Sequence, residues 1–217
     1  DRSPSRGLGD VYKRQGEFDR RIEALGGSSN AATGFDDVHF HVLIPPAAAP
    51  EALDLLLDLV LQPRLEEEAF AMERQVVLEE LAQSEDQPEE VAVQHLLAQA
   101  CPGHPYGLPI LGRREALLAH DPAAMGAFHQ RLYGGGRCLL ALTGAITAGD
   151  LRERAGQGAL AQLSPAAEPA ERAPLVVVAG EDRIAMPRLE AARLLMAWAQ
   201  PPAGDLRGVM GGDLATS

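Results

Sequence analysis

From Gly16 onward the chain alternates short apolar stripes with Gly and Pro punctuation. In GEFDRRIEALGG, Phe18, Ile22 and Leu25 recur at helical spacing and Gly26-Gly27 stops the pattern, which predicts a helix ending there. VHFHVLIP (38–45) is a β-rich run closed by Pro45-Pro46. PEALDLLLDLVLQP (50–63) predicts a compact helix with Pro50 near its start and Pro63 just past its end. A longer helix follows over 66–83, with acids in its first turn, then a third in PEEVAVQHLLAQAC (88–101). PGHPYGLPILG (102–112) reads as a turn-rich loop. Beyond it come a helix around DPAAMGAFHQRLY, a buried strand in RCLLALTGAI and a helix in TAGDLRERAGQGALAQL with Asp150 near its cap. A Pro/Ala/Glu stretch (165–174) reads as a linker, and LVVVAG starts a further element. Strands alternating with helices predict α/β or α+β layers, and no short internal repeat is present.

The helix over 66–83 carries the most informative pattern. Glu73 and Glu80 are seven residues apart, within about 20° of each other around a helix. Ala69, Phe70, Val76, Val77 and Leu81 share their face, whereas Glu67 and Glu79 fall largely outside it. Two carboxylates on an apolar stripe are costly unless a cation or hydrogen-bond donors satisfy them. Pairing with arginines at the edge of the core is the commoner solution. A metal ligand or a catalytic acid is the rarer one.

His39 and His41 alternate onto one face of the predicted strand. That spacing could hold zinc, although such a pair is more often a half-buried strand surface, and no Cys or third His stands nearby. His104 reads as a loop residue held by Pro105, and His95, His120 and His129 as helix-face or helix-end residues. There is no G-x-S-x-G elbow, and the glycines at 134–136 lack the Lys-Ser/Thr of a phosphate loop.

Composition narrows the classes. The 217 residues are 46% hydrophobic, enough for a sizeable core. A net charge of −12 argues against sequence-independent nucleic-acid binding. Cys101 and Cys138 make no disulfide framework and read as buried thiols. No apolar run is long enough to span a bilayer. Lys13 is the single lysine among 19 basic residues, and it lies in SRGLGDVYKRQ (5–15), a stretch unlike the Arg-, Ala- and Leu-rich remainder. That peptide looks like the in-frame translation of a transposase-type sequencing adapter, so residues 1–15 are expected to be non-native and native sequence to begin near Gly16. Setting them aside leaves a charge of −14. On this reading both natural ends of the protein are missing. A bacterial cytoplasmic setting is favoured, with a periplasmic one left open.

The order of segments adds what no single segment supplies. NAAT with a following acid, then PEALDLLLDLVLQPRLEEEAFAMERQVVLEE, GHPYGLPILG and FHQRLY before LLALTGAI resembles the inverted-zincin metallopeptidases, the family of insulinase, pitrilysin and mitochondrial processing peptidase. The resemblance runs over nearly all of 16–217. It implies an α+β fold with a mixed β-sheet packed against helices. The implied organisation is a partial metallopeptidase domain (16–164), a linker (165–174) and the start of a second, homologous domain (175–217). In such a protein Zn2+ is held by two histidines of an H-x-x-E-H helix and a downstream glutamate. Glu80 matches that glutamate, and Glu73 matches a supporting acid one turn-pair earlier. Asn30, Ala31, Ala32 and Thr33 match the N-A-x-T edge strand that pairs with substrate backbone, and Asp36 the acid that follows it.

Histidines at i and i+4 together with a glutamate give three protein ligands and leave a fourth position for water. Zinc acidifies that water and polarises the scissile carbonyl, with the motif glutamate as general base. The H-x-x-E-H element belongs about seventy residues before Glu80, at or ahead of residues 1–15, and it is absent from this chain. YGGGR replaces a usual Pro/Asn turn, and Val38 a commonly polar strand residue. PRLEAARLLMAW (187–198) is helical by propensity, yet the family layout implies a strand there.

The expected function is therefore a zinc-dependent metalloendopeptidase acting on peptides or unfolded polypeptides. It is present as a fragment expected to be inactive, and it implies a homologous second half or partner subunit. The alternative is a non-catalytic scaffold or partner subunit of the same fold; retention of both Glu73 and Glu80 favours the enzyme.

Overall fold

The computed structural model describes residues 15–134, 137–145, 147–163, 174–186 and 189–216. The adapter-like peptide except Gln15, and the linker except Pro174, lie outside them. No helix among the described residues is long and apolar enough to cross a membrane.

Helix α1 (Gln15–Ala24) buries Phe18 and Ile22, four residues apart on one face. Its end is built by the two glycines. Gly26 takes φ 81°, its N–H donates to Glu23 O at 2.9 Å, and Gly27 N–H donates to Ile22 O at 2.9 Å. These two bonds form a Schellman motif, which needs a left-handed residue that glycine supplies without a Cβ penalty. The chain then enters β1 (Ser28–Thr33), turns through Gly34–Asp37 and returns as β2 (Val38–Leu43). The turn is closed by Gly34 N–H donating to Asp37 O at 2.8 Å. The strands pair antiparallel, with Asn30 opposite His41, Ala31 opposite Phe40 and Ala32 opposite His39. Val38, Phe40 and Val42 face inward and His39, His41 and Leu43 outward, the period of two expected of a half-buried strand.

After a 3-10 turn (Pro46–Ala48), α2 (Ala49–Leu61) lays Ala52 and Leu59 against Phe18 and Ile22, with Val42, Ile44, Leu55 and Leu56 around them. This is the core of the first part of the chain. Helix α3 (Glu67–Glu85) buries Ala69, Phe70, Leu78 and Leu81. Helix α4 (Pro88–Ala100) leads to a 3-10 turn at Pro105–Gly107, where His104 Nδ1 accepts from Tyr106 N–H at 3.2 Å. Helices α5 (Arg114–Ala119) and α6 (Pro122–Leu132) follow, then α7 (Ala148–Ala155) and α8 (Gly158–Ala161). Helix α9 (Leu206–Thr216) begins at Asp205, whose Oδ1 accepts from Gly208 N–H at 3.0 Å.

Two compact units result. One comprises the described parts of Asp1–Leu81 and Ile110–Glu171, the other those of Ala82–Pro109 and Arg172–Ser217. Within the second, Val178 N–H donates to Ala100 O at 2.8 Å, and Arg193 pairs with Glu89 at 3.5 Å.

The α+β class is borne out: a helix-rich chain with one small antiparallel sheet. Helices α1 to α4 and α6 fall where the apolar periodicity places them. Four expectations are corrected. RCLLALTGAI forms no strand among its described residues, and Leu139 within it is 94% exposed. An apolar run becomes a strand only with a neighbour to take its backbone hydrogen bonds, and no described strand pairs with this one. The described part of PRLEAARLLMAW is neither helix nor paired strand, for the same reason. TAGDLRERAGQGALAQL is two helices rather than one, because Gly158 takes φ 69°. Cys138 is exposed, since the segment carrying it is uncovered; Cys101 is buried as expected.

Candidate functional site

Helix α3 forms because acids fill its first turn and good helix formers fill its interior. Its buried arc runs through Ala69, Phe70, Leu78 and Leu81, and Glu73 and Glu80 fall within that arc, close to Ala69. Leu78 is buried, whereas Val76, expected on the buried face, is 40% exposed. Both glutamates are half-buried and both take part in polar or electrostatic contacts. Glu80 Oε2 is buried and has no hydrogen bond of its own. A carboxylate on the buried face of a helix is costly unless cations or donors offset it, and a divalent cation is one group that would do so. On the same helix, Arg74 lies over the Phe70 ring at 5.9 Å and donates from Nη1 to His120 O at 3.1 Å, tying α3 to the end of α5.

Zinc takes carboxylate oxygen, so Glu80 fits one ligand position. The described residues do not complete the set: no group of three or more His, Cys, Asp and Glu side chains among them is arranged to hold a metal ion.

Strand β1 presents the second group of candidates. Asn30 is exposed, and its Oδ1 accepts from Ala31 N–H at 2.9 Å. Ala31, Ala32 and Thr33 are half-buried. Among the described residues β1 pairs with β2 alone, so its other edge is open to a further extended chain. Asp36 sits exposed in the turn beside it. The hairpin packs on α1 and α2, while α3 makes no comparable contact with it among the described residues. The structure therefore places the glutamate pair and the Asn30–Thr33 strand in one unit without joining them.

The histidines divide as the pattern predicted. His104 holds its turn, and His129 Nε2 lies 2.8 Å from Val60 O with its ring stacked on Tyr133. His39 and His41 stand on the solvent side of β2. One pairing had no signal in the sequence. His95 Nε2 meets Asp182 Oδ2 at 2.6 Å across 87 residues of chain. The hydrogen bond from His95, and after it the Arg183 N–H, hold the Asp182 carboxyl below the usual aspartate range.

Residues 11–114 match the family model of the insulinases, peptidase family M16. Over 125 residues the chain is 32% identical to an uncharacterized zinc protease of Mycobacterium tuberculosis, covering 58% of this chain and 28% of that protein. The chain thus spans under a third of the length of that relative. A protease from Helicobacter pylori superposes with a TM-score of 0.68 at 24% identity, covering 77% of this chain and 41% of the other. An inactive M16 peptidase domain from Pseudomonas fluorescens superposes with a TM-score of 0.64 at 22% identity, covering 76% and 41%.

Proposed function

We propose that this chain, whose residues 11–114 match the insulinase M16 family model, is a part of a zinc-dependent metalloendopeptidase in which Glu80 is one of the zinc ligands. The observation that carries this reading is the burial of the Glu80 carboxylate oxygen on the inner face of α3, within the residues that match the M16 family model. Bound zinc supplies Lewis acidity and an acidified water to peptide hydrolysis. This chain contributes the rest of the recognition surface. Glu80 offers an oxygen from a rigid helix, and Glu73, seven residues earlier on the same face, orients the site and adds negative charge that favours a cation. The open edge of β1 at Asn30, Ala31, Ala32 and Thr33 takes the backbone of an extended peptide as an added strand. Such pairing reads main chain rather than side chains, which suits peptides or unfolded polypeptides as substrates. A homologous second half or partner subunit completes the assembly on this reading.

The test is to extend the gene upstream of Gly16, express the longer protein and measure its zinc content by mass spectrometry. If an H-x-x-E-H helix precedes the chain, we expect about one bound zinc and hydrolysis of unfolded peptides. Glu80→Gln should then lose the zinc. Glu73→Gln should keep it with metal affinity or activity about ten- to a hundredfold lower. Zinc uptake that ignores Glu80→Gln overturns the assignment of Glu80. An upstream helix without the histidines, in a protein that binds no zinc, makes this a non-catalytic partner subunit.

A further inference from the structure

We propose that His39 and His41 form a second metal site, a bidentate surface site for a borderline divalent transition-metal cation such as Ni2+ or Zn2+, on the outer face of the β1–β2 hairpin. Residues two apart on a strand project to the same side, and both rings lie on the exposed face of β2. The rings are stacked rather than splayed, with centroids 6.0 Å apart and planes at 24°. Two imidazoles sharing one tetrahedral ion at a metal–nitrogen distance of about 2.0–2.1 Å have centroids about 5 Å apart. Rotation of the two exposed side chains is what must turn both Nε2 atoms toward one ion.

Asp37 adds the orienting group. Its Oδ2 lies 3.3 Å from His39 Nδ1. A carboxylate there favours the proton on Nδ1, which leaves the Nε2 lone pair for a metal, the arrangement that commonly supports ligating histidines. Across the strand, Asn30 faces His41 and Ala32 faces His39, so no bulky apolar side chain from β1 crowds the pair. The two rings offer two protein ligands, with water to fill the other positions. Imidazole nitrogen selects Ni2+, Cu2+ and Zn2+ over Mg2+ and Ca2+. The site requires neither Glu80 nor an H-x-x-E-H helix.

The experiment uses the 217-residue chain with labelled histidine rings, titrated with Ni2+ alone and followed by NMR. We expect the ring signals of His39 and His41 to broaden first among the six histidines. His39→Ala and His41→Ala should each weaken the apparent affinity at least about tenfold, since a lone imidazole has no chelate partner, and Asp37→Asn should weaken it about tenfold. Glu80→Gln should leave the titration unchanged, which separates this site from the proposed zinc ligand. Acidification should release the metal as protons compete for the rings. Because both rings are exposed, the alanine variants should keep the parent's circular dichroism; His41→Gln serves as the second variant. Broadening that starts at other histidines, or that survives loss of His41, overturns the proposal.

Discussion

Gly27 leaves no room for a side chain. A Cβ there would lie 2.6 Å from Leu43 O and 3.2 Å from Ile22 Cγ2, where β1 starts beside the end of β2. Gly27→Ala forces those groups apart, and crowding of this kind costs about 1–3 kcal/mol. Urea denaturation should show a lower midpoint with an unchanged slope. At Asp182 the expectation concerns charge. Its carboxyl is held below the ordinary aspartate range, chiefly by the His95 hydrogen bond. A folded-state value below the unfolded one gives stabilisation present above the unfolded aspartate range and lost as pH falls through the folded midpoint. Asp182 is well exposed, so the effect is best read from its own titration. His95→Ala should raise the Asp182 midpoint toward that of an unpaired aspartate, observed by NMR of the side-chain carboxyl carbon. An unmoved midpoint would mean the contact is not populated in solution.

Among the elements, α6 offers the cleanest test of local coding. Asp121 Oδ1 accepts from Ala124 N–H at 2.7 Å and Pro122 follows it, an N-cap and a first-turn proline in their preferred places. Asp121→Ala should cost about 1 kcal/mol. In a chain of this length that is a fall in melting temperature of about 2–4 °C by calorimetry. Elements of this kind were legible in the sequence because cap, periodicity and stop lie within a few residues of one another. The same holds for α1 with its paired glycines and α2 between its prolines. The inward turn of Glu73 and Glu80 was legible too, since helical periodicity alone sets it. RCLLALTGAI was misread because a strand depends on a partner that periodicity does not name. The TAGDLRERAGQGALAQL break was missed because a glycine inside a helical pattern is tolerated as often as it interrupts. His95–Asp182 is non-local, and no spacing rule reaches across it.

At the scale of the whole molecule, the distribution of exposed apolar side chains sets the behaviour of the chain in solution. Leu139, Leu194, Met196, Trp198, Leu206, Met210 and Leu214 are each more than half exposed, and Leu139 and Leu194 reach 94% and 84%. Most lie in described segments that form neither helix nor paired strand, while Leu206, Met210 and Leu214 line one face of α9. Scattered exposed leucines are ordinary, but several close together outside helix and paired strand offer apolar surface to another chain. The net charge of −12 opposes association through long-range repulsion, a force that salt screens within about 10 Å at 0.1 M. The two effects make opposite demands on ionic strength. If apolar exposure governs, sedimentation velocity should show association that grows with protein concentration and strengthens when salt is raised. Leu139→Asp and Leu194→Asp should then weaken it, because each removes apolar contact and adds charge at an exposed position without touching the Phe18–Ile22–Leu59 core. A chain that stays monomeric at high salt and high concentration would show that these segments are covered in solution, and the variants would then lower its stability instead.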